Sequence, residues 1–167
     1  MGPVPISLVQ LDIQLTEHFT LRELCDSETA RRQKLPNIPG PGHIIKLKNL
    51  LTKSVEPARR HFGVPFRITS GYRCEAVNRM VGGVSTSQHL RGEAVDFTLI
   101  LPQTHEPLTF NHAPLTFNHA PLTLRHVFDW MSANVPYDQL IWEYGRWIHV
   151  SLHIDPRLNR HQMIEYR

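Results

Sequence analysis

Two histidines and two carboxylates in this 167-residue chain have the types and spacing for hydrolytic chemistry. In the segment 85–97, STSQHLRGEAVDF, six residues separate His89 from Asp96, with Gly92 between them and Ala94 opening a strand. An imidazole on a loop and a carboxylate on the adjoining strand converge if the chain turns tightly, and a glycine permits that turn. Strand alternation puts Asp96 and Ala94 on one face and Val95 and Phe97 toward the core. A histidine and an aspartate so spaced also suit a hydrogen-bonded core imidazole and a surface carboxylate, so a third group is needed. It comes from 140–151, LIWEYGRWIHVS, where Glu143 ends one strand and His149 sits inside the next across a tight turn. His89, Asp96 and His149 would offer two nitrogens and one oxygen. Three protein ligands leave the fourth tetrahedral position to water, the pattern of a catalytic zinc. Glu143 would then accept the proton of that water. His153, on the same face as His149, is the alternative third ligand. Ser87 and Gln88 read as residues that shape the loop and orient a ligand, since no Ser-His-Asp order or nucleophile elbow accompanies them.

The elements that must hold these groups are legible in outline. Thr20, with Glu23 three positions on, forms a capping-box signal before Leu21, Leu24 and Cys25 at helical spacing. The segment 34–43, KLPNIPGPGH, reads as a loop. Ile44, Leu47, Leu51, Val55, Ala58 and Phe62 mark one face of a helix closing at Gly63, with a kink expected at Pro57. Strands are expected at 64–70, 94–101, 139–143 and 147–152, and helices at 75–81 and 122–133. Helices first, then strands with one helix among them, predict an α+β fold with a small antiparallel sheet.

Composition sets the bounds. At this length the chain fits a single domain over 1–167, with residues 1–15 as an N-terminal extension and 103–121 as a repeat-containing loop insertion. Lys and Arg number 18 against 15 Asp and Glu, a net charge of +3 that is too small to imply nucleic acid. No run approaches the ~20 apolar residues of a membrane span. No Sec-type signal opens the chain, so the product is expected to be cytoplasmic as synthesised, with Cys25 and Cys74 as buried reduced thiols. PLTFNHA at 107–113 recurs at 114–120, and PLTLRHV follows, setting His105, His112, His119 and His126 seven apart. Proline in each copy forbids a continuous helix, and an odd interval sends successive strand residues to opposite faces. The repeat therefore reads as a duplicated surface loop rather than a metal site.

SGYR at 70–73, Asn78, Gly82 and Gly83, SxHxxGxAxD at 87–96 and the late WIHVS resemble the M15 group of zinc peptidases, most of all its compact branch found in bacteriophages and their hosts. HFTLREL, EPARRHFG and LIWE extend the resemblance over roughly 17–155. It implies the α+β fold shared by D-alanyl-D-alanine carboxypeptidases and the Hedgehog signalling domain. It also implies zinc on His89, Asp96 and His149, with Arg73 and Ser87 facing substrate and Glu143 as general base to a zinc-bound water. The implied substrate is the peptide stem of peptidoglycan at the bacterial cell wall. A monomer is expected, and for a phage product a membrane lesion is one route to the wall. Better-known members carry the catalytic carboxylate three residues before the last histidine, where this chain has Arg146. That departure leaves open a zinc-containing binding or virion module without turnover.

Overall fold

The computed structural model describes residues 11–101, 115–117 and 120–167. The fold is α+β, built on a five-stranded sheet in the order β1-β2-β6-β5-β7. Its strands are β1 (Phe66–Ser70), β2 (Ala94–Leu99), β5 (Gln139–Glu143), β6 (Trp147–Ser151) and β7 (Gln162–Tyr166). The sheet is mixed rather than antiparallel throughout, because β7 pairs parallel with β5. Its sequence, QMIEY, lacks clean alternation: Met163 is exposed and Ile164 only half-buried, as suits an edge strand. A separate hairpin, β3 (Leu115–Phe117) with β4 (Ala120–Leu122), falls within the sequence repeat.

Local chemistry starts and stops the helices. Thr20 caps α1 (Leu21–Cys25) through a capping box with Glu23, and Ser27 caps α2 (Glu28–Gln33) by accepting from the Ala30 N–H. The long apolar stripe is three pieces: α3 (Pro41–Leu50), a π-helical segment Leu51–Val55, and α4 (Glu56–Phe62) closed by Gly63 in the left-handed region. Pro57 has no N–H for the Lys53 carbonyl, so the disturbance expected at Pro57 takes the form of a widened turn just ahead of it. Ser54, buried inside that turn, donates to the Pro136 carbonyl at 2.6 Å and so anchors the approach to β5. α5 (Glu75–Met80) and α6 (Leu124–Asn134) complete the set.

One face of the sheet is apolar. Val95, Phe97, Leu140, Ile148 and Val150 join Leu47, Leu51, Val55, Phe128 and Met131 in one buried core. Full burial of each such side chain contributes about 1.5–3 kcal/mol, so the core fixes strand register firmly. Leu11 and Leu15, in the segment read as an extension, are buried in the same core. The other face is set by the register Ser70↔Asp96↔His149↔Ile141, with Trp147↔Glu143 one row along. No helix among the described residues is long and apolar enough to cross a membrane.

Candidate metal centre

His89 reaches the sheet from a 3-10 turn, Gln88–Arg91, that ends at Gly92 with φ 68°. A side chain at Gly92 would also lie 2.7 Å from the His43 carbonyl oxygen, so both conformation and space require glycine. Asp96 and His149 are direct cross-strand partners on β2 and β6. One ligating atom from each of His89, Asp96 and His149 falls within 4.8 Å of the others. Asp96 Oδ1 lies 3.4 Å from His89 Nε2 and 2.8 Å from His149 Nδ1.

The outward atoms of this group are already engaged. His89 Nδ1 is 2.7 Å from the Gly71 carbonyl, which can only accept, so Nδ1 carries the proton and Nε2 presents its lone pair. Arg73 Nη2 donates to Asp96 Oδ2 at 3.1 Å, and Arg73 Nε donates to Ser70 Oγ at 2.9 Å. That leaves Asp96 Oδ1, His89 Nε2 and His149 Nδ1 pointing at one another. Burial pushes the Asp96 carboxyl up, but the two imidazoles beside it overcome this and hold it well below the usual carboxylate range. A buried anion between two nitrogen donors, fastened from behind, suits a divalent cation with nitrogen and oxygen ligands. Zinc fits this donor set.

The three residues open on a cleft of about 600 Å³ lined also by Arg73, Ser87, Glu143 and Trp147. Glu143 occupies the sheet row next to His149. Burial first, and the Asp96 charge second, raise its carboxyl above the ordinary value, with His149 opposing. A carboxylate raised above its ordinary value in a cleft is a stronger base than an exposed one and is suited to accept and return protons. Ser87 lines the cleft and its backbone N–H donates to the Val84 carbonyl. Arg146 is exposed in the β5–β6 turn.

Other expectations need amending. His153 is not part of the converging group. β6 ends at Ser151, alternation stops there, and His153 faces Glu93 at 3.3 Å and Asp138 at 3.8 Å. Cys74 is half-buried rather than buried, while Cys25 is buried and its thiol pushed up to about 12 by desolvation. Of the heptad histidines, His105, His112 and His119 lie outside the described residues, and His126 Nδ1 accepts from the Thr123 N–H at the start of α6. The hairpin of the repeat is not plain loop: Phe117 packs on Phe62, with ring centroids 5.0 Å apart. A second group, Glu17, His18 and Glu56, also brings three ligand atoms together. Arg60 pairs with both of its carboxylates, and the Thr16 hydroxyl donates to Glu56 at 2.6 Å. Sequence reasoning missed Asp138 and Arg160, which shape the cleft from positions bearing no local motif.

An α+β domain with a His/Asp/His cluster and an adjacent carboxylate in one cleft defines a metal-hydrolase type of site. The family model for Peptidase M15 matches residues 17–113. The chain belongs to the M15 peptidase family, a family of metallopeptidases that are generally zinc-dependent. The matched span holds Arg73, His89 and Asp96 and stops short of Glu143 and His149. No curated protein matches the chain.

Proposed function

We propose that this protein is a zinc-dependent peptidase hydrolysing peptide bonds in the stem peptides of peptidoglycan, with His89, Asp96 and His149 holding the metal. The observation that carries this reading is the convergence of His89 Nε2, Asp96 Oδ1 and His149 Nδ1 in a cleft that also contains Glu143. Zinc bound there supplies Lewis acidity toward water and toward a substrate carbonyl. The residues of the chain do the rest. Glu143, raised by burial, takes a proton from the attacking water at its carboxylate and returns it to the departing amine, a role worth about 10²–10⁴-fold. Arg73 donates to Asp96 Oδ2 and keeps Oδ1 aimed inward, and its guanidinium edge in the cleft orients the substrate carbonyl or carboxylate. Ser87 borders the substrate path.

Peptidoglycan as substrate is supported by the resemblance to the compact M15 branch and by the cationic side chains along the cleft, which suit a peptide bearing free carboxylates. The protein acts as a monomer at the bacterial cell wall, and a phage origin is in keeping with the compact branch it resembles. The test is incubation of the zinc-loaded protein with purified muropeptides, read by mass spectrometry, beside Glu143→Gln. Cleavage at one defined bond, lost in a variant that keeps its zinc, is the expected result. Retained zinc with no cleavage by either protein contradicts the peptidase reading and leaves a zinc-containing binding module.

A further inference from the structure

One charged wall of the cleft is not used by the hydrolytic residues. Asp138, just ahead of β5, is fully buried. Its carboxylate accepts from Arg160 Nε at 3.0 Å and Nη2 at 2.5 Å, from the Arg160 backbone N–H at 2.8 Å, and from Gln88 Nε2 at 2.9 Å. Arg160 lines the cleft with its side chain 53% exposed. Arg73, by contrast, is 17% exposed and gives Nε to Ser70 and Nη2 to Asp96. Arg91 is committed to Glu93 and to the Thr86 carbonyl. Among the described residues, no hydrogen bond takes up Arg160 Nη1.

The clamp makes that free edge useful. A guanidinium held along its Nε–Nη2 edge by one carboxylate has little rotational freedom left to lose when a ligand arrives at Nη1. Its Nη2 also lies 3.4 Å from Gln88 Oε1, one residue from His89, so the head is registered to the loop that carries the metal ligand. Arg91 and Arg160 line the cleft here, while the carboxylates that pair with them, Glu93 and Asp138, lie behind its surface.

We propose that Arg160, oriented by Asp138, is a specificity-determining residue that binds a carboxylate of the peptide substrate through its free guanidinium edge. The proposal rests on the peptidase reading of the cleft and deepens it: the substrate is an anionic peptide with a carboxylate within reach of the hydrolytic centre. A charge-assisted, pre-oriented contact of this kind discriminates by about tenfold or more.

The test compares two forms of a stem pentapeptide, one with its D-Glu and C-terminal carboxylates free and one with both as carboxamides. Binding to the full zinc-loaded chain carrying Glu143→Gln is followed by calorimetry, so no turnover is needed. The acid form should bind at least tenfold more tightly than the amide. Arg160→Gln should bring the two within threefold. Lys53→Gln, which removes the same charge from an exposed site in the π-helical turn, should leave the preference intact. Should Arg160→Gln fail to fold, Arg160→Lys still neutralises Asp138 but lacks the second donor edge, and the preference should fall to threefold or less. Equal affinity for the two peptides in the parent, no measurable binding of either, or a preference that persists in the folded Arg160 variants overturns the proposal. The last outcome would mean that the metal itself or Arg73 reads the carboxylate. If the acid preference depends on Arg160 but the chain with Glu143 restored cleaves no peptide, the peptidase reading fails and the carboxylate site stands.

Discussion

Two clusters in this protein meet the same geometric test for holding a metal, yet they differ in what surrounds them. Around Asp96 the outer atoms are tied back, to Gly71 and Arg73, and the inner ones face each other. Around Glu56 the arrangement is closed. The Thr16 hydroxyl, the His18 N–H groups and Arg60 use the carboxylate oxygens, and Arg60 is itself a fixed cation beside Glu17. The first aims three ligand atoms at one point; the second is an ion-pair network fastening the chain near His18 to α4. Proximity of ligand types does not make a metal centre; the direction and vacancy of the remaining lone pairs do.

Substitutions in the two clusters should therefore separate cleanly. His89→Ala should abolish stoichiometric zinc and peptidase activity together, whereas His18→Ala should leave one zinc per chain, both read by elemental analysis of dialysed protein. Zinc lost from the His18 variant and kept by the His89 variant would reverse the assignment. Glu143→Gln should keep its zinc and lose about 10²–10⁴-fold in turnover, measured on whichever muropeptide the parent cleaves. Glu56→Ala should act on the fold instead. It removes a buried carboxylate with several donors and costs about 3 kcal/mol, a fall in Tm of roughly 9 °C at this chain length, with zinc content unchanged.

A smaller effect belongs to the cleft wall. Desolvation would raise the Asp138 carboxyl, but Arg160 and Gln88 bring it down to about 2, below its ordinary value of 3.8. A depressed carboxylate stabilises the fold fully above its unfolded value, and that contribution is lost as pH falls from about 4 through about 2. It amounts to about 2 kcal/mol. Denaturant titrations should show this loss in the parent and a flatter profile over the same interval in Asp138→Asn.

Legibility in the sequence followed the range of the contacts. His89, Gly92, Ala94 and Asp96 sit within one turn and one strand, so a local pattern could reveal them. His149 and Glu143 were found through strand alternation on either side of a tight turn, and the register of β2, β5 and β6 sets them on one face. Asp138 meets Gln88 across 50 positions and Arg160 across 22, and no motif marks either end. β7 stayed hidden because an edge strand needs only backbone pairing, and its side chains carry little periodic signal. Pro57 announced a disturbance in the long helix, but where the extra residue of the widened turn falls depends on tertiary contacts such as that of Ser54 with Pro136.

The central claim is that one divalent ion binds at the junction of a loop and two strands. Anomalous scattering at the zinc edge, from crystals grown with one equivalent of zinc, addresses it directly. The expected result is a single peak about 2.0–2.2 Å from His89 Nε2, Asp96 Oδ1 and His149 Nδ1. A peak among Glu17, His18 and Glu56 instead, or none at either place, would contradict it.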